Sequence, residues 1–165
     1  PGLYTSVLRG KNNTTGIALV EVYDLSTGVP SKVANISTRG LVQGGDNRLI
    51  GGFIVSGGTS AKLEVVVRAI GPSLSEARIV NPLADPFLDV RDGNGNPLAT
   101  NNNWRDDANA AKVAELGLAP KNDAESALYL QLPQGAYTAI VSGNGGGMGI
   151  GLVEVYAAGR DFSVK

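Results

Sequence analysis

The stretch "YTAIVSGNGGGMGIGLVEVY", residues 137–156, decides how this chain is read, because residues 4–23, "YTSVLRGKNNTTGIALVEVY", spell the same piece again. Aligned without gaps at an offset of 133, residues 2–23 and 135–156 are identical at eleven of twenty-two positions. That offset is far longer than the period of about 20 to 50 residues that marks a solenoid, so the repeating object is a whole domain and the two ends of the chain are homologous pieces. Each copy reads as two β-branched runs joined by a turn-rich loop, which is the pattern of a β-hairpin. The glycine run after Gly143 fits no phosphate-binding register and leads into a strand instead of a helix N-terminus. In the first copy the same positions hold "GKNNTTGIA", so the segment is expected to be a loop and not a nucleotide cradle.

Outward from these two pieces the whole chain has the same texture. Its 23 glycines mostly punctuate short β-branched runs, which argues for an all-β domain. Strands are expected at Tyr4–Arg9, Ile17–Tyr23, Leu49–Val55, Leu63–Ile70, Phe87–Arg91, Pro97–Thr100, Ala127–Leu132, Tyr137–Ser142 and Ile150–Tyr156, with others near Val33–Ser37 and Leu41–Gln43. The nearly unbroken "LEVVVRAI" of Leu63–Ile70 suits a central strand covered on both faces. One short helix fits "DDANAAKVAELGL", with Asp106 or Asp107 as cap and Gly117 as terminator. Aromatics are only 5% of the chain, so the core must come from Val, Leu, Ile and Ala around a few tyrosines and Trp104.

Composition removes most chemistry. Fourteen basic against fifteen acidic residues leave a net charge of −1, without the attraction that nucleic acid or an anionic membrane would need. Histidine and cysteine are absent, which excludes Cys/His zinc sites, thiol nucleophiles and a Ser-His-Asp triad. No run of about 18 apolar residues is present, so no membrane span is expected. A chain that starts at Pro1 is expected to be a processed or excised piece. The expected plan is a hairpin at 1–25, a linker at 26–32, a β-sandwich at 33–158 and a tail at 159–165.

The phrases "NNTTGIALVEVYDL", "STRG", "GGFIV", "RAIGPSL", "NPLADP", "DGNG", "NNNW" and "GAYTAIV" resemble a module that occurs in tandem in large exported proteins of environmental bacteria. The second half, through "LDVRDGNGNPLATNNNW" and "LPQGAYTAIVSG", is also similar to the pre-peptidase C-terminal type of β-sandwich, an accessory domain of secreted enzymes. These resemblances imply an antiparallel β-sandwich of jelly-roll or pre-peptidase-like kind, located outside the cell or at its surface, with no catalytic residue.

A lone hairpin is marginal in water, so the first copy must pack on its own domain, in a preceding domain, or in another subunit. The candidate assembly surface is Tyr4, Val7, Ile17, Leu19, Val20, Val22 and Tyr23 with Leu152, Val153, Val155 and Tyr156, and the expected partners are copies of the chain or neighbouring repeats. Glu21 and Glu154 recur within "LVEVY", where Arg9, Arg39 or Arg68 is expected to pair across strands. Sequons stand at Asn12, Asn13 and Asn35.

Two ligand classes remain as alternatives. Trp104, Arg105 and Asn102 are the candidates for gripping a glycan, against a reading in which Trp104 lies over the core and Glu125 pairs with Arg105 or Arg68. Asp85, Asp89, Asp92 and Asp123 are the candidates for calcium, against a reading of "DGNG" as a plain hairpin turn. No acid sits in the apolar surround that glycoside hydrolysis would need, and no cofactor other than calcium is suggested.

Overall fold

The computed structural model describes residues 2–23, 35–56, 62–158 and 163–164. Its strands are β1 (Asn35–Val42), β2 (Leu49–Ser56), β3 (Leu63–Ile70), β4 (Pro86–Asp92), β5 (Pro97–Asn101), β6 (Ser126–Leu132), β7 (Gly135–Gly143), β8 (Gly149–Ala157) and β9 (Ser163–Val164), with one short helix, α1 (Ala110–Glu115). They form two antiparallel sheets of order β1-β8-β3-β6 and β5-β4-β7-β2-β9. The pairs β1·β8, β2·β7, β3·β6 and β4·β5 are those of one long folded ribbon rolled into two layers, so the fold is an antiparallel β-sandwich with jelly-roll strand order.

Period-two alternation sends one set of side chains from each sheet into the space between. Phe53, Val55, Leu88, Val90, Tyr137 and Val141 come from one sheet and meet Leu63, Val65, Val67, Leu128, Val153 and Val155 from the other. The outer face of the four-stranded sheet is covered as well. Val66 and Ala127 there bury Trp104 and Val113, which the long connection between β5 and β6 lays over them. That second cover explains why β3 is apolar on both faces. Gly117, at φ +70°, follows α1 as expected, but Asn109 occupies the cap position and Asp107 instead accepts a hydrogen bond from the Asn109 N–H.

Three expectations require correction. Val33–Ser37 and Leu41–Gln43 are not separate strands: β1 runs continuously from Asn35 through Gly40 to Val42, paired all along with β8, while Val33 lies outside the described residues. Residues 137–156 are not a hairpin, because β7 and β8 belong to opposite sheets and the connection between them is an arch across the core. Among the described residues no ladder includes Tyr4–Arg9 or Ile17–Tyr23, although their sequences predict strands. The second and third corrections have one cause. The two arms of an arch hydrogen-bond to neighbours in different sheets and not to each other, so an arch without neighbours has no ladder. The expected linker at 26–32 lies outside the described residues, and of the expected tail Ser163–Val164 pair with β2 as β9.

Candidate interaction surface

Residues 2–23 carry the arch geometry of residues 135–156 in detail. The turn of the second copy needs two left-handed residues, supplied by Gly145 (φ 60°) and Gly146 (φ 83°). The aligned Asn12 (φ 54°) and Asn13 (φ 59°) adopt the same conformation, which asparagine tolerates better than other residues with a side chain. Thr14 N–H donates to the Lys11 carbonyl at 3.2 Å where Gly147 N–H donates to Asn144 at 3.1 Å. A Cβ at Gly10 would lie 1.9 Å from the Thr14 carbonyl oxygen, and one at Gly143 would lie 2.0 Å from that of Gly147, so both copies keep glycine there. At the far end Tyr23 Oη donates to Glu21 Oε1 at 2.8 Å, and Tyr156 Oη to Glu154 Oε1 at 2.9 Å.

What differs is the surroundings. The second arch is central in both sheets, with β7 between β4 and β2 and β8 between β1 and β3. There Tyr137 stacks on Phe53 at 5.5 Å between centroids and donates to the Pro133 carbonyl. The Glu154 carboxylate receives Arg68, whose guanidinium also donates to Tyr156 Oη and to the Leu118 carbonyl and lies over the Tyr156 ring. Burial, and then the nearby Glu154 charge, pushes the Tyr156 hydroxyl pKa up. The first arch has none of these neighbours. Every residue from Gly2 to Tyr23 is exposed, and Tyr4, Leu8, Val20 and Val22 stand at 93%, 55%, 48% and 80% exposure where Tyr137, Val141, Val153 and Val155 stand at 6%, 0%, 2% and 2%. Packing of the first copy on its own sandwich is therefore not observed.

The expected assembly residues divide accordingly. Tyr4, Val7, Ile17, Leu19, Val20, Val22 and Tyr23 are all exposed. Val153 and Val155 are not, because they are spent in the chain's own core. Leu152 and Tyr156 lie half-buried on β8, Leu152 opposite Arg39 and Ile70 and Tyr156 within the Arg68 cluster. The sequence carried no signal for this difference at the shared positions, since Leu19, Val20, Val22 and Tyr23 are the same residues as Leu152, Val153, Val155 and Tyr156.

The glycan and calcium candidates are placed as follows. Trp104 is 5% exposed beneath α1, with Arg105 stacked on its ring at 4.3 Å and bonded to Asp123, so its face is not open to a sugar. Its Nε1 is buried without a hydrogen-bond partner, as is Asn102 Oδ1. Glu125 pairs with neither Arg105 nor Arg68. It is fully buried and accepts hydrogen bonds from the N–H groups of Gly71, Ser73 and Asn122 and from Ser73 Oγ. Asp85, Asp89, Asp92 and Asp123 are held by different partners: Asp85 by Asn144, Asp89 by Arg91, and Asp123 by Arg105. Asp92 accepts from Asn94 N–H, Asn96 N–H and Asn96 Nδ2 in the hairpin turn between β4 and β5, and the Asn96 side chain in particular holds its carboxyl below the usual carboxylate range. Among the described residues no three acids gather into a group that would hold a metal ion. A surface hollow of about 590 Å³ beside the β4–β5 turn and the Leu132–Gly135 connection is lined by a single carboxylate, that of Asp92.

No known family model matches the chain, and no curated protein matches it.

Proposed function

We propose that this chain is a non-catalytic structural module whose sandwiches join one to another through the arch, building an assembly outside the cell or at its surface. The observation that carries this reading is the first arch, which keeps the turn, the tyrosines and the glutamate of a buried central element while its apolar side chains stand open to water. Covering each of the exposed Tyr, Leu and Val side chains is worth about 1.5–3 kcal/mol, so a matching cover on another copy is strongly favoured over solvent. Support also comes from the resemblance of the sequence to a tandemly repeated module. Light scattering on chains 1–165 and 26–165 tests the reading: particles well above the 16.9 kDa monomer are expected for the first and a monomer for the second. A monomer at both lengths that binds glycan through Trp104, Arg105 and Asn102 would replace it with a recognition module.

A further inference from the structure

We infer that the slot filled by residues 135–156 accepts residues 2–23 in their place, and that it does so within the same chain. The inference rests on the equivalence of the two arches that the proposed function also uses, but not on assembly between molecules.

The slot is defined by what it asks of an arch. Between β4 and β2 it needs an extended arm with a tyrosine to stack on Phe53, and Tyr4 is that residue. Between β1 and β3 it needs β-branched residues facing the core at the positions of Val153 and Val155, where Val20 and Val22 stand, and a small one at Gly151, where the Cβ of Ala18 would come within 3.1 Å of Val42 Cγ2 and requires that side chain to give by a few tenths of an ångström. On the outer face of β8 it needs a carboxylate for Arg68, and Glu21 aligns with Glu154. Without that cation Glu21 is bonded to Tyr23 alone among the bonds described, so the first arch carries an acid whose basic partner is built into the slot.

Chain connection permits the exchange. Asn35, the first residue of β1, is the direct antiparallel partner of Tyr156, the outer-face tyrosine near the end of β8. Opposed residues in such a ladder are about 5 Å apart. With residues 2–23 in the slot, Tyr23 takes the place of Tyr156, and the eleven residues 24–34 have only that short gap to close. They reach about 36–40 Å when extended, several times what is needed. The exchanged chain is a circular permutant of the same jelly roll, with the arch leading into β1 instead of following β6.

The experiment disables one arch at a time in the full chain. Val155→Asp places a carboxylate in the core and is expected to abolish cooperative melting in chain 26–165 while 1–165 keeps a cooperative, lowered melting transition, because residues 2–23 take over. Adding Val22→Asp is expected to remove that rescue. Glu21→Gln, which leaves the Arg68–Glu154 pair of the monomeric sandwich intact, is expected to lower the melting temperature of the Val155→Asp chain at low concentration, since Glu21 has become the Arg68 partner. Equal losses from Val155→Asp in 1–165 and 26–165 would overturn the inference. A rescue that strengthens with protein concentration would place the arch in a second copy and overturn closure on the same chain. The first of these results is read on single chains at low concentration and does not depend on whether the unmodified chain forms large particles.

Discussion

Gly143 and Gly10 occupy the same place in two copies of one turn, and each lacks room for a Cβ against the backbone four residues on. Their energetic weight should differ sharply. Gly143→Ala forces apart a turn between two core strands and is expected to cost about 2 kcal/mol or more, whereas Gly10→Ala acts in an arch outside the sandwich and should leave the melting temperature of the monomer unchanged. Thermal melts of the two variants at low concentration check this contrast. Tyr137 and Tyr156 supply a pH signature. Burial raises both hydroxyl pKa values, with Asp92 adding to the first and Glu154 to the second. A raised tyrosine pKa stabilises the fold fully below the unfolded value of about 10, and that contribution is lost as pH rises through the folded value. Melting temperature should therefore fall above about pH 10, and Tyr156→Phe should flatten part of that fall. Residue types made some of this legible: Arg68 is among the partners expected for Glu154, and Trp104 is buried as its packing reading expects. Glu125 was not legible, because its partners are neutral backbone and hydroxyl donors that no charge pattern reveals.

Glu125 matters most at the level of elements. Its carboxylate ties the start of the connection after β3 to the approach to β6, and its own carbonyl accepts from Trp104 N–H at 2.8 Å. Glu125→Ala would leave the Gly71 and Ser73 N–H groups without their acceptor and is expected to destabilise the sandwich by about 3 kcal/mol or more, read by urea denaturation. Glu125→Gln, which still accepts, should cost less. Element positions were largely legible, since β3 matches the expected Leu63–Ile70 and β2 and β4 to β8 differ by a residue or two at their ends, β1 being the exception. Partnership between elements was not. Alternation tells which residues of β7 and β8 share a face, yet it is identical for a hairpin in one sheet and an arch between two. Only the "DGNG" turn between β4 and β5 joins neighbours within one sheet among the described strands, and its short Asp-Gly signal announced that.

For the whole molecule, the jelly-roll order means that its eight principal strands begin and end at the same place, with Asn35 on β1 beside Tyr156 on β8, and only the two-residue β9 lies beyond, on β2. That adjacency has a mechanical consequence for any string of such units. Once the two rungs of β9 on β2 give way, tension along the string would enter each unit at two neighbouring points on antiparallel strands, and β1 is an edge strand with β8 as its ladder partner. Load applied there peels the rungs from Asn35↔Tyr156 toward Val42↔Gly149 one after another and never strains them all together. A stretched array should accordingly yield at low force and in many small steps, and single-molecule pulling on linked copies is expected to record soft, extensible behaviour, with each bead acting as a shock absorber and not as a rigid link.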